Sequence, residues 1–384
     1  MSPLDPAALR PHYSAFLRSG KVLLTGHSHQ AWPDCARDAT LEAWDDAAEC
    51  VDDKWERAFA AADAVRDAIA SRIGARSDEI ALGQNTHELV VRMMSALDLR
   101  ARPRVVCTTG EFHSLTRQLA LLERHGAVEV AWVEAEPVAT LAERLADTVD
   151  ARTAAVFTST VLFETSSVVP HVAELVARAR AKGAEVLLDA YHAFSVIPFD
   201  IAALGASDAF VVGGGYKYAQ WGEGVCFLRV PPGRRLEPVL SGWFAGFADL
   251  AVAGGARRAG FGPLGKDAFA GATYDPTCHY RARAVTRFMQ EQGMTTAALR
   301  ELYARQTARI IDGLEGLDVR TPREPSARGG FVALRVDDAQ GVVAELRRAG
   351  VFTDSRGQLL RLGPAPYVTD DEIDRALRAL RAAL

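Results

Sequence analysis

The sequence predicts an α/β protein: a doubly wound, mostly parallel seven-stranded sheet followed by a small α+β unit. Three observations carry that expectation. At 384 residues the chain exceeds a single small core, so a large domain with a smaller one is the natural division. From Glu79 onward, short apolar runs alternate with amphipathic stretches at helical spacing, the pattern of parallel strands joined by crossovers. Beyond about Leu314 that rhythm gives way to shorter, mixed elements.

Taken in order, residues 1 to about 40 read as irregular, with one polar cluster, Thr25-Gly26-His27-Ser28-His29-Gln30-Ala31-Trp32-Pro33. It suits a loop near an active site. The His27/His29 pair has no Cys or carboxylate partners at ligand spacing, so no metal is expected there. Ala36 to Ile73 carries helical periodicity, with Trp44, Val51, Trp55, Phe59 and Val65 expected to be buried. Strands are expected at Ile80–Leu82, Arg104–Cys107, Val128–Val133, Ala154–Thr158, Val186–Asp189, Phe210–Val212 and Val225–Val230. Helices are expected between the earlier ones, at Glu88–Leu97, Thr116–His125, Leu141–Thr148 and Val172–Lys182. Pro170 before the last of these and Gly183 after it supply start and stop chemistry.

Ser241 to Pro276, rich in Gly and Phe, reads as a bridging segment that lines a site, since compact domains rarely carry idle loops of that length. His279 to Leu314 is helical. Strands near Leu317–Arg320, Phe331–Val336 and Leu359–Leu362 then alternate with helices at Ala339–Arg348 and Glu372–Ala383. Thr369 and Glu372 form a capping box for the final helix. The expected division is an arm with an active-site loop (1–45), a large α/β domain (46–276) and a small α+β domain (277–384).

A net charge of −5 with no basic block gives no electrostatic case for nucleic acid or an anionic membrane. Five scattered cysteines, with no C-x-x-C spacing, argue against a disulfide framework or structural zinc and suit a reducing cytoplasm. No apolar run approaches a membrane span, and the N-terminal residues lack the basic-then-apolar design of a signal peptide.

Chemistry concentrates between Glu185 and Val230. One strand ends on Asp189, with His192 three residues later. The next breaks into Gly213-Gly214-Gly215 and presents Tyr216-Lys217-Tyr218. Taken alone, a strand-end Asp is often a cap and a Lys after glycines is often solvated. In this order, at the carboxyl ends of adjacent strands, they match what pyridoxal phosphate (PLP) needs. A lysine can form a Schiff base with its aldehyde, and a carboxylate can hold its ring nitrogen protonated.

Gly83-Gln84-Asn85-Thr86-His87-Glu88, between a strand and its helix, offers free N–H groups to a phosphate, and Asn85 or Thr86 can equally be a plain N-cap. Phe112 after the second strand can stack on a ring or belong to the core. His192 reads either as a site residue or as a packed histidine. Arg361 interrupts an apolar strand and needs an anionic partner: a substrate carboxylate, or a structural acid such as Asp354.

Together these stretches resemble kynureninases. Leu188-Asp189-Ala190-Tyr191-His192-Ala193, Gly215-Tyr216-Lys217-Tyr218 and Gly242-Trp243-Phe244 carry the likeness. Thr25-Gly26-His27-Ser28, Phe163-Glu164-Thr165-Ser166, Arg328-Gly329-Gly330, the Val351–Arg356 run and Arg361-Leu362-Gly363-Pro364-Ala365-Pro366 follow in the same order, from about residue 20 to the C-terminus.

The resemblance implies a fold-type I PLP enzyme of the class V aminotransferase branch. Its reaction would be hydrolysis of the Cβ–Cγ bond of L-kynurenine or a related γ-oxo amino acid, releasing L-alanine, as in tryptophan degradation. It implies Lys217 as Schiff-base lysine, Asp189 at the pyridine nitrogen, Phe112 on the ring and Tyr216 as acid–base. Thr86, His87, Tyr216 and Trp243 would surround the phosphate, with His192 also in the cofactor site. Arg361 would take the substrate carboxylate, near His27 and Ser28. Thr273 would reach a neighbouring subunit's phosphate, which implies a homodimer with shared sites.

One departure stands out. Where kynureninases carry Ser-Asn-Pro-Pro, this chain has Thr273-Tyr274-Asp275-Pro276, which places Tyr274 opposite an asparagine that faces the substrate's aromatic part. Another class V reaction, such as C–S lysis, epimerisation or transamination, is the alternative.

Overall fold

A computed structural model describes residues 4–251 and 260–384, so part of the expected bridging segment lies outside the described residues. Its strands in chain order are β1 Val22–Leu23, β2 Ile80–Gly83, β3 Arg104–Thr108, β4 Glu129–Val133, β5 Thr153–Ser159, β6 Glu185–Asp189, β7 Phe210–Gly214, β8 Cys226–Arg229, β9 Val332–Arg335, β10 Val351–Phe352, β11 Asp354–Arg356 and β12 Leu359–Leu362. Seven form one sheet in the order β2-β8-β7-β6-β5-β3-β4. Only β8 runs antiparallel to its neighbours. All seven expected sheet strands are present.

The sheet is buried on both faces. Leu89 and Met93 of the helix Thr86–Ser95 and Leu119 of the helix His113–Arg124 belong to one core. Leu145 of the helix Leu141–Thr148 and Leu175 of the helix Val172–Ala181 belong to the other. The chain crosses from β3 to β4 on one side, then returns to β5 on the other side of β3. A topological switch therefore falls at the carboxyl ends of β3 and β5, where open sheets bind ligands.

Near the C-terminus, β11-β12-β9 form an antiparallel sheet beside the helices Ala339–Arg348 and Asp370–Ala383. The last helix opens with the expected Thr369/Glu372 capping box. The expected strand at Leu317–Arg320 reduces to a single bridge, Val319 with Leu334. Gly316 in a left-handed conformation precedes it and Pro322, which has no N–H to give a ladder, follows closely.

Two expectations need correction. The N-terminal arm is not irregular: it forms short helical turns from Pro6 to Leu17, and β1 pairs in parallel with β10. Thr25 bridges to Gly363, and the Gly26 amide donates to the Gly363 carbonyl at 2.7 Å. A Cβ on Gly363 would stand 2.2 Å from His27 Nδ1, so only glycine allows the arm to lie this close.

The second correction concerns the helical stretch after Ala36, which is two helices, Cys35–Cys50 and Lys54–Ile73. Trp44 and Val51 are each 68% exposed and Phe59 37%. Val51 sits at the break with φ 53°. Val65 is buried as expected, but its companions on the second helix are Ala58, Ala61, Ala62 and Ala68, because small side chains let the helix Thr277–Glu291 approach closely. Helical period alone could not say which stripe would face inward.

Candidate active site

Asp189 ends β6, and β7 runs through Gly213-Gly214 into the turn that presents Lys217. A Cβ on Gly215 would lie 2.0 Å from the Trp221 ring, so the backbone reaches Lys217 only by passing against that indole. Lys217 Nζ lies 2.6 Å from His192 Nε2. The amine also stands over the rings of Tyr191 and Phe112, 4.8 and 5.5 Å from their centroids.

Burial pushes the Lys217 amine down to about 7; Asp189 opposes the shift and Arg361 adds to it. Burial, and then Lys217, holds His192 well below its usual range. A neutral imidazole can therefore share a hydrogen bond with this amine. Burial raises Asp189, whose Oδ1 accepts the Tyr191 amide at 2.7 Å.

Arg361 lies on β12, its guanidinium closed in on several sides. Nε and Nη2 donate to Asp354 at 2.9 and 2.7 Å, and Nη1 donates to the Phe163 carbonyl at 2.7 Å. His27 Nε2 meets the same Asp354 at 2.9 Å. His27 stacks on Phe331, with His192 and the Arg361 guanidinium against the same ring. Burial raises Asp354, but His27 and Arg361 outweigh it and hold the carboxyl far below the usual carboxylate range. Burial and Arg361 bring His27 down to about 4. The structural partner that the sequence left open for Arg361 is thus present. An arginine carries five N–H groups, so those not directed at Asp354 and Phe163 remain for a substrate carboxylate.

Not all the sequence-predicted residues converge. His27, Phe112, Asp189, His192, Lys217 and Arg361 are linked by the contacts above. Ser28 is buried in the same loop, and half-buried Tyr216 packs edge-on to His29. Thr86 shares a small cavity with Phe112 and Asp189. Asn85 caps its helix, accepting the Glu88 amide at 2.9 Å, and His87 is exposed.

Thr273 and Tyr274 line a different cavity of about 510 Å³, with Phe59, Phe244, Phe247 and His279. Tyr274 packs against Trp55, Phe244 and His279, and Trp243 stacks on Phe247. Among the described residues no hydrogen bond, ion pair or ring contact joins this aromatic group to the Lys217 cluster within one chain.

Two participants escaped the sequence reading, Glu111, a buried acid beside Asp189, and Phe331 as the shared floor; the contact of Asp354 with His27 escaped it too, although Asp354 was the expected structural partner of Arg361. A lone Glu before an aromatic residue carries no pattern signal, and the other two depend on chain segments that meet only in the fold.

The donor set fits PLP. It holds a buried amine whose pKa is lowered to about 7, an acid at the adjacent strand end, an aromatic face at Phe112, and a helix N-terminus at Thr86 for the phosphate. His192 Nδ1 and the Tyr218 hydroxyl are buried without partners among the described residues.

The comparisons agree with that chemistry. Residues 295–380 match the profile of the kynureninase C-terminal domain. A kynureninase of Xanthomonas oryzae pv. oryzae is 30% identical over 328 residues, 79% of this chain and 75% of that protein. The isopenicillin N epimerase of Streptomyces clavuligerus is 29% identical over 339 residues, 83% of each chain. In fold, the chain is similar to the cystine C–S lyase C-DES in complex with cysteine persulfide, with a TM-score of 0.81, 19% identity, and coverage of 94% of this chain and 97% of that one. By sequence, then, the chain belongs to the kynureninase family, among the PLP-dependent class V enzymes, and its fold is type I.

Proposed function

We propose that the protein hydrolyses the Cβ–Cγ bond of L-kynurenine or a related γ-oxo amino acid and releases L-alanine. The observation that carries the reading is the meeting of Lys217, Asp189 and Arg361 around one site, in a chain 30% identical to a kynureninase over 79% of its length.

When bound, PLP supplies an aldehyde that captures amines and a ring that draws electrons from the substrate α-carbon. Lys217, its amine neutral for a large share of molecules near neutral pH, would hold that aldehyde and would serve as the base for the proton on the substrate Cα. His192, hydrogen-bonded to Lys217, orients the amine between these tasks. Asp189 would keep a proton on the cofactor's ring nitrogen, and Phe112 would supply an aromatic face for the ring. Arg361, its side-on edge fixed by Asp354, offers its remaining N–H groups to the substrate α-carboxylate. Tyr216, half-buried beside His29, exchanges a proton at the γ-carbonyl as water adds there.

We assign Thr273, Tyr274 and Trp243 to the site of a second copy of this chain in a homodimer. The place of Thr273 and Tyr274 in a cavity that Lys217 does not line, and the exposed aromatic surroundings, support this; Trp243 is 44% and Phe247 51% exposed.

A second reading is exchange of the α-proton without carbon–carbon cleavage, as in an epimerase. The similarity to an isopenicillin N epimerase over 83% of the chain and the tyrosine at position 274 favour it. Incubation of the loaded protein with L-kynurenine in D₂O separates the two. Alanine and the matching aryl carboxylic acid in equal amounts support hydrolysis. Deuterium at Cα with inversion and no alanine supports epimerisation. Neither product, with a stable visible band, would defeat both.

A further inference from the structure

The loop after β3 buries an acid that the proposed mechanism leaves unused. Glu111 is 2% exposed. Its Oε1 accepts the Ser159 amide, and its Oε2 stands 3.0 Å from Ser159 Oγ. Ser159 ends β5 and pairs in register with Asp189, the last residue of β6. A single serine thus moors Glu111 beside the carboxyl assigned to the ring nitrogen. A small cavity lies between the two acids, lined also by Thr86, Phe112, Ser114, Thr158 and Val212.

We propose that Glu111 and Asp189 form a carboxyl pair that holds one proton and one negative charge. Glu111 keeps the proton, so that Asp189 alone faces the ring nitrogen as a carboxylate. The inference rests on the assignment of Asp189 above and deepens it: Glu111 is a positioning residue for the charge of that site.

Electrostatics require the pair to share charge. Two buried carboxylates on either side of the end of β5 cannot both ionise cheaply, and the better-solvated or better-countered member takes the charge. Asp189 has Lys217 as a countercharge and the Tyr191 amide as donor. The ionisable groups facing Glu111 are Asp189 and the Cys107 thiol of β3, neither of which is a cation. The helices Thr86–Ser95 and His113–Arg124 offer it Thr86, Val90, Ser114 and Leu115, none charged. Burial first, then Asp189, pushes Glu111 up to about 8, with Ser159 and the Phe112 amide opposing. With Glu111 neutral, a protonated ring meets one counter-ion. With both acids ionised it would meet two, and the empty site would carry an unmatched charge.

The test is infrared titration of the full-length chain, as purified and again after removal of cofactor. A protonated-carboxyl band at about pH 7, absent from Glu111→Gln, is the expected result. In Asp189→Asn its midpoint should fall by about one pH unit or more as the repulsion disappears. If Glu111→Gln fails to fold, Ser159→Ala serves: loss of a donor to the carboxylate should raise the midpoint. No band near neutrality, or a midpoint unmoved by Asp189→Asn, overturns the proposal. Cofactor binding is read separately by visible absorbance. A chain that binds no PLP would defeat the functional reading while the carboxyl titration still decides this one.

Discussion

His192 Nε2 stands 2.6 Å from Lys217 Nζ, with both groups buried; burial lowers the proton affinity of each, and Lys217 lowers that of His192 further. The contact predicts a pH dependence of stability. The Lys217 amine titrates near 7 in the fold but at about 10.4 when unfolded, so between those values the unfolded chain binds more protons. Its contribution is therefore full above the unfolded value and is lost as pH falls toward 7. The melting temperature of the cofactor-free protein, relative to Lys217→Met, should rise across that window. The upper bound is about 1.4 kcal/mol per pH unit. Parallel melting curves for the two proteins would show that the amine titrates normally.

Replacing Lys217 by alanine should abolish turnover and covalent attachment of the cofactor. Mass spectrometry after borohydride reduction checks this directly. A reduced adduct on the alanine variant would move the attachment to another lysine.

Asp189→Asn should retain PLP but slow turnover by several orders of magnitude, each tenfold step equalling about 1.4 kcal/mol of barrier. Single-turnover rates measure it. A rate within about threefold of the unaltered protein, under about 0.7 kcal/mol, would remove Asp189 from the electron-withdrawing role.

The observed Arg361–Asp354 fork makes Arg361→Lys informative in two ways. An ammonium offers a point charge in place of two parallel donors, so both substrate binding and the buried pair should weaken. kcat/KM is expected to fall by an amount equivalent to about 2–4 kcal/mol, with a lower melting temperature. Asp354→Asn supplies the comparison, since it loosens the pair while leaving the guanidinium in place. Matched melting losses in both variants with unchanged kcat/KM in Arg361→Lys would make the arginine purely structural.

If Tyr274 serves a second copy's site, Tyr274→Asn should change the relative kcat/KM for aryl and alkyl γ-oxo amino acids without displacing the cofactor. Mixed dimers of Tyr274→Asn with inactive Lys217→Ala separate intra- from intersubunit action. In these dimers the sole intact lysine site would face the unaltered Tyr274 of the other copy. Altered selectivity there would place Tyr274 within its own subunit's site.

The sequence by itself was enough for the elements whose patterns are local. The strands that carry Asp189 and lead to Lys217, the glycine break between them, and the capping box at Thr369 and Glu372 all appear where periodicity and turn chemistry put them. These features depend on neighbours a few residues apart. Only the tertiary structure decided what depends on distant segments meeting. It drew the arm against β12's end so that His27 reaches Asp354, 327 residues away in sequence. It turned an alanine stripe inward while leaving Trp44 in solvent. It also set Glu111 beside Asp189 through the pairing of β5 with β6. A lone acid's charge state follows from burial and from the groups it faces, and neither is written in its neighbours along the chain.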